Sequence, residues 1–223
     1  MSSPQAAAKE IAGGYRKGEA ARQRILDAAL AAFGEGGFKG ATTRQIAEAA
    51  GVNLPALKYY FGGKEGLYLA CAEEIVERYR GRMLGPIEAA LAPLEAEPTP
   101  AAARTALKRI MTALADQMMG VREADAWAGF VLREIAEPGP AFPVLYGNVW
   151  APGVELIAQL IGRATSGGDP EAARIEALLL ISSLTAFGLA RPVALRFLAW
   201  PDADGSRFDA VMRTIEAQID RLA

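Results

Sequence analysis

The chain has 223 residues, 52% of them apolar, and 24 Lys and Arg against 26 Asp and Glu give it a net charge of −2. That is enough apolar material for a real core, and too little net charge to argue for any particular partner. It holds no histidine and a single cysteine, Cys71, which excludes an internal disulfide, a Ser-His-Asp or Cys-His catalytic arrangement, and a histidine-based zinc site.

The first nineteen residues, through Glu19, are small, glycine-containing and aperiodic, and read as a flexible arm. They contain no continuous apolar run of the kind a signal peptide needs. From Ala20 the pattern turns helical, with Ile25, Leu26, Ala29, Leu30 and Phe33 on one face. Glycines in "GEGGFKG" (34–40) end that helix. Thr42 can cap a short second helix with Ile46, Ala47 and Ala50 inward, and Gly51 closes it. Asn53 is a good N-cap for a third helix, where Pro55 in the first turn costs little. A fourth helix begins near Lys64 and carries Leu67, Cys71, Ile75 and Tyr79 along one side, with a bend or end expected near Gly85-Pro86. The lone Cys71 on that face reads as a small buried hydrophobe rather than a redox sensor.

Beyond it, "LAPLEAEPTP" (91–100) reads as a linker. Helices follow with Leu107, Ile110, Met111, Leu114 and Met118 inward, then Trp127, Phe130, Val131 and Ile135, then a helix over Phe142–Ala164 entered through prolines. A helix from Asp169-Pro170 is apolar on most sides, and a last one carries Phe208, Val211, Met212, Ile215, Ile219 and Leu222. No alternating strand pattern appears, so the expected fold is all-α. The longest uncharged run free of prolines, Ala177–Ala190, falls short of the roughly 18–20 residues a membrane span needs. A soluble cytoplasmic protein is expected.

Charge is uneven along the chain. Residues 1–70 carry nine Lys/Arg and six Asp/Glu, and residues 71–223 carry fifteen and twenty. The mildly basic front holds "TTRQIAEAAGVNLPALKYYF" (42–61), two short helices joined by a glycine turn, with the small Ala47 where the helices cross. This is the pattern of a helix-turn-helix. Its second helix would enter the DNA major groove by its N-terminal residues. Asn53 lies at that end. Leu54, Pro55 and Ala56 suit thymine methyls, and Arg44 has the planar fork for a guanine edge. Lys58 and Tyr60 can reach bases or phosphates. Thr43, Tyr59 and Lys64 can hold phosphate oxygens. A helix pair with aromatics and a lysine also serves plain packing, and the pattern alone leaves both readings open.

The stretch "RQRILDAALAAFGEGGFKGATTRQIAEAAGVNLPALKYYFGGKEGLYLA" resembles the N-terminal DNA-binding domain of the TetR family of bacterial regulators. The likeness takes in the first helix, the Gly-Phe-x-Gly-x-Thr-Thr entry, the Ile-Ala-x-x-Ala-Gly-Val turn and the Tyr-x-Phe-x-x-Lys-Glu-x-Leu exit. It implies a helix-turn-helix domain over 20–66 and a helical effector-binding and dimerisation domain over 67–223. It also implies that the position of Arg44 reads a base and that those of Thr43, Tyr59 and Lys64 bind backbone. Two positions depart from the family pattern. Lys58 stands where a tyrosine is usual, and Tyr60 where a histidine is usual. "LREIAEPGPAF" and the helices after it are similar to the subgroup typified by CecR.

The resemblance further implies a homodimer joined by the last long helices, for which Leu178, Ile181, Leu184, Phe208, Met212, Ile215 and Ile219 are the candidate interface. The breadth of the apolar surface on Ile175–Leu189 points the same way, although a central core helix of a monomer has the same pattern. An effector pocket would draw on Met111, Met118, Trp127, Phe130, Tyr146 and Trp150. Its polar anchors would come from Arg133, Glu134, Asn148 or Arg191, for an apolar or aromatic ligand. Each of those aromatics also suits ordinary core, and Arg133 and Glu134 suit surface charges or helix-end partners. The expectation is a DNA-binding regulator, a homodimeric repressor that leaves a near-palindromic operator when a small effector binds, with no cofactor, no metal and no catalysis. Two alternatives are a helical small-molecule carrier and an activator controlled by a protein partner.

Overall fold

A computed structural model describes residues 4–119, 125–165, 167–188, 190–201 and 205–222. Every regular element among them is helical: α1 (Pro4–Gly40), α2 (Thr43–Ala49), α3 (Leu54–Phe61), α4 (Lys64–Ala96), α5 (Pro100–Met119), α6 (Asp125–Ala136), α7 (Phe142–Leu145), α8 (Ala151–Ala164), α9 (Pro170–Gly188), α10 (Arg191–Phe197) and α11 (Gly205–Asp220). A π-helical turn, Tyr146–Trp150, joins α7 to α8, so the stretch from Phe142 to Ala164 is wound almost without interruption.

Three expectations change. The segment expected to be an aperiodic arm is helical from Pro4, because its alanines, Gln5, Lys9 and Glu10 are strong helix formers that outweigh its glycines. Met1–Ser3 lie outside the described residues. Helix α4 runs past both Pro86 and Pro93, so 91–96 is helix and not linker. An internal proline costs about 3 kcal/mol. That cost is offset by burial of Met83, Ala90 and Leu94 on the same helix. The short α10 was not foreseen, as seven residues show too little periodicity.

Packing divides the chain into two compact units, one of residues 1–77 and 123–146, the other of 78–122 and 147–223. These packing units follow different boundaries from the expected domains at 20–66 and 67–223. In the first unit α6 lies along α1, and an aromatic cluster forms its centre. Tyr68 meets Phe33 edge-on at 4.8 Å, Phe38 at 5.0 Å and Phe130 at 4.6 Å between ring centroids. Beside it sits Glu134, the buried charged side chain of the described residues. The Tyr68 hydroxyl donates to Glu134 Oε1 at 2.6 Å, and the Gly139 N–H donates to Oε2 at 3.1 Å. A Cβ at Gly139 would come within 2.7 Å of Glu134 Oε1, so a side chain there would displace that carboxylate. Burial, and after it the Glu134 carboxylate, push the Tyr68 phenol well above its usual range.

In the second unit α5 packs on α8, α9 and α11. Its core includes Leu107, Ile110, Met111, Ile157, Ile161, Leu184, Met212 and Ile219. Lys108 pairs with Asp220 at 2.7 Å, and Arg104 donates to the Leu222 carbonyl at 3.1 Å, tying α5 to the end of α11.

Tyr68→Phe keeps the ring and removes the donor to a buried carboxylate. The expected loss is roughly 1.5–3 kcal/mol, the usual range for a hydrogen bond to a charged group, read as a lower urea midpoint. An unchanged midpoint would mean that the bond adds nothing net.

Candidate nucleic-acid interface

Helices α2 and α3 have seven and eight residues, and each is finished at its ends by its own sequence. Thr42 and Gln45 form a reciprocal capping box. The Gln45 N–H donates to Thr42 Oγ1 at 3.2 Å, and the Thr42 N–H donates to Gln45 Oε1 at 3.2 Å. Asn53 caps α3, its Oδ1 accepting from the Ala56 N–H at 2.9 Å. Between the two helices Gly51 takes φ 64°, a left-handed geometry that a side chain would strain. The Arg24 guanidinium donates to the Ala50 carbonyl at 3.3 Å and fixes the end of α2 to α1.

One side of the pair is buried. Ile46, Ala47, Leu57 and Phe61 are at most 9% exposed, and the Arg22 guanidinium lies over the Phe61 ring at 5.5 Å. The other side faces solvent. Leu54, Pro55, Lys58 and Tyr59 are exposed on α3, with Tyr59 at 83%. On α2 Arg44 is exposed and Thr43 half-exposed. Spacings of four, Leu54 with Lys58 and Pro55 with Tyr59, gather these side chains along one strip of helix.

Not every candidate is equally free. The side-chain oxygen of Asn53 is committed to its cap. Ala56 is half-buried. Tyr60 is half-buried too, and its hydroxyl lies against Gly18, where a Cβ would meet it at 3.4 Å. Lys64 is half-buried at the start of α4, its ammonium 3.4 Å from the Lys39 carbonyl and 5.0 Å from the Phe38 ring centre. The anchors Arg22 and Arg24 went unnoticed in the sequence. Both are arginines on the polar flank of α1, indistinguishable by pattern from solvated charges.

The candidate effector residues are divided between the two units, with Trp127, Phe130, Arg133 and Tyr146 in the first and Met111, Met118 and Trp150 in the second. Met111 is core of the second unit and Phe130 core of the first, both fully buried. Arg133 donates to the Gly34 carbonyl at 2.8 Å and to that of Glu35, so it is a helix-end partner. Glu134 is buried and accepts from the Tyr68 hydroxyl and the Gly139 N–H. Tyr146 is exposed and stacked on Phe142 at 5.8 Å. Trp127 and Trp150 are half-buried, and Met118 is at the edge of exposure. Of the polar anchors, Asn148 accepts from Arg80 at 3.1 Å, and Arg191 is exposed at the start of α10. A pocket of about 310 Å³ does exist in the second unit, walled by Phe187, Leu198, Trp200, Val211, Ile215 and Gln218 among others, none of them in the expected set.

The candidate dimer residues divide in two. Leu178 is exposed and Ile181 and Phe208 are half-buried, but Leu184, Met212, Ile215 and Ile219 are closed into their own core. A stripe at helical spacing says that a face is covered, not by which chain. Other exposed apolar side chains are Ile175 and Leu179 on α9 and Val193 and Phe197 on α10.

Residues 25–71 match the model of the bacterial regulatory proteins of the tetR family, and residues 103–223 match the C-terminal domain of the HTH-type transcriptional dual regulator CecR. The chain is 33% identical to CecR of Shigella flexneri over 211 residues, 92% of each protein. It belongs to the TetR family, among its CecR-like members. Solved TetR-like folds superpose along most of its length. A TetR-like regulator from Rhodococcus sp. RHA1 does so with a TM-score of 0.58 at 23% identity, over 90% of this chain and 94% of that one. AibR, solved with isovaleryl coenzyme A and operator DNA, does so with a TM-score of 0.61 at 15% identity, over 89% and 97%. This TetR-family chain is therefore a DNA-binding transcriptional regulator and not an enzyme. Among the described residues no helix is long and apolar enough to cross a membrane, and no group of three or more His, Cys, Asp or Glu could hold a metal ion.

The cap assigned to Asn53 has a measurable consequence without DNA. Asn53→Ala is expected to cost about 1 kcal/mol of stability, and Asn53→Ser much less. Equal losses for the two variants in thermal unfolding would remove the cap from the account of α3.

Proposed function

We propose that the protein is a homodimeric repressor, each subunit placing α3 in the major groove of one half-site of a near-palindromic operator. Residues 20–66 form the reading domain and residues 67–223 the effector-binding and dimerisation domain. What carries this reading is the exposed strip of Leu54, Pro55, Lys58 and Tyr59 on a capped helix whose opposite face is buried. In it, Leu54 and Pro55 contact thymine methyls, Lys58 reaches bases, and Arg44 reads a guanine edge with its fork. Asn53, Ala56 and Tyr60 stand at the margins of the contact. Thr43, Tyr59 and Lys64 hold phosphates, where Lys64 has donors to spare beyond its carbonyl contact.

Dimerisation is assigned to the exposed face of α9, where Ile175, Leu178 and Leu179 form a strip that a second copy would cover. An apolar or aromatic effector releases the operator, and the apolar walls of the second unit's pocket favour that ligand class. A dual role, repressing some promoters and activating others, is the second reading. It is favoured by the likeness to CecR, itself a dual regulator.

Duplexes enriched by the protein from a random-sequence library supply the operator. Against it, Arg44→Ala is expected to lose roughly 1–3 kcal/mol of binding, with random DNA bound as before. An equal loss on random DNA would contradict base reading. Leu178→Asp is expected to convert the dimer to a monomer in sedimentation at micromolar concentration. A variant that sediments like the unaltered protein would move the interface away from α9.

A further inference from the structure

The contact between α6 and α1 has a geometry that ordinary packing does not require. The two helices meet at glycines, and a Cβ at Gly129 would lie 3.2 Å from the Gly34 carbonyl oxygen and 3.3 Å from its Cα. That close approach places the Arg133 guanidinium on the last turn of α1 before the chain breaks from helical geometry at Gly37, with φ 66° and ψ −178°. Arg133 Nε donates to the Gly34 carbonyl at 2.8 Å and Nη2 donates to that of Glu35. A Cβ at Gly37 would itself stand 3.6 Å from the guanidinium. The end of a helix is where carbonyls lack intrahelical donors and where a cation is favoured. Here both needs are met by a side chain from a helix almost a hundred residues further along the chain.

The next residue makes the contact directional. Glu134 is held by Tyr68 of α4 and by the Gly139 N–H. Arg133 and Glu134 therefore grip two different helices from adjacent positions, so α6 cannot roll without breaking one contact or the other. Downstream of the gripped turn there is little slack. Gly37 is followed by the Ala41 N–H donating to the Gly37 carbonyl at 3.2 Å, and then by the Thr42 cap that opens α2. The direction in which α1 ends thus sets where α2 and α3 begin.

We propose that Arg133 is a positioning residue for DNA reading, acting through the carbonyls of Gly34 and Glu35 to fix the angle at which α1 presents the helix pair. It touches no DNA. The role rests on the DNA-reading function proposed above, and its loss differs from a plain loss of stability, which would weaken binding to every DNA alike. A tilted head still meets phosphates through mobile side chains, whereas base edges demand alignment. Operator binding therefore suffers and non-specific binding does not.

The test uses the full-length protein and the duplex it enriches from a random library, with random DNA as the control. Arg133→Ala is expected to lower operator affinity about tenfold, while affinity for random DNA and its salt slope stay unchanged. Arg133→Lys, which keeps the charge and loses the fork, is expected to fall in between. Thermal unfolding of each variant shows what fraction is folded at the assay temperature. Should Arg133→Ala be unfolded there, Arg133→Lys carries the test alone. An operator-to-random ratio equal to that of the unaltered protein in the folded variant overturns the proposal. So does an equal loss on both DNAs, which would make Arg133 a stabilising contact only. If the unaltered protein enriches no sequence, the DNA-reading function fails and the positioning role falls with it.

Discussion

Helices of seven and eight residues do not hold in water on their own, because nucleation costs more than so few hydrogen bonds return. Everything the protein does with DNA depends on how α2 and α3 escape that limit. Helix α1 supplies Ile25, Leu26, Ala29, Leu30 and Phe33, all at most 1% exposed. Ile46, Ala47, Leu57 and Phe61 are buried in the same unit. The capping box and the Asn53 cap supply the hydrogen bonds that the helix ends lack. With the inner face closed in this way, the outer face is held still. Leu54, Pro55, Lys58 and Tyr59 then project from a backbone that has already been ordered by folding, and binding does not repeat that cost.

Charge has a smaller part than in many nucleic-acid binders. The first seventy residues hold only three more basic than acidic side chains, and the rest of the chain is net acidic. Attraction to phosphate is therefore modest, and a single head has little non-specific hold. Discrimination must come from a few aligned contacts, which raises the premium on rigidity in the head. Two heads on one operator would multiply that discrimination, since the second binds as an intramolecular event.

Much of the head was legible in the sequence because its signals are local. Thr42 and Asn53 announce their helices by cap chemistry, Gly51 by the turn it permits, and Ile46, Ala47 and Ala50 by periodicity. Long-range contacts left no such trace. Arg133 and Glu134 are adjacent charged residues at the end of an amphipathic helix, and nothing in their neighbourhood says that one meets a carbonyl on α1 and the other a buried phenol. For the same reason Met212, Ile215 and Ile219 read as an interface and proved to be core. Periodicity reports burial but not the partner. The prolines of α4 misled in the opposite sense, because a local cost was outweighed by burial of Ala90 and Leu94 that only the folded unit supplies.

The size of the regulatory problem is set by the same few contacts. An effector shifts an operator equilibrium only by its preference for one state over the other, and a tenfold preference supplies about 1.4 kcal/mol per site. That is comparable to one or two hydrogen bonds to charged groups. The grip of α6 on α1 and α4 is made of such bonds, Arg133 to the Gly34 carbonyl at 2.8 Å and Tyr68 to Glu134 at 2.6 Å among them. Altering the hydrogen bonds of one helix turn is, in energy, on the scale of that tenfold preference.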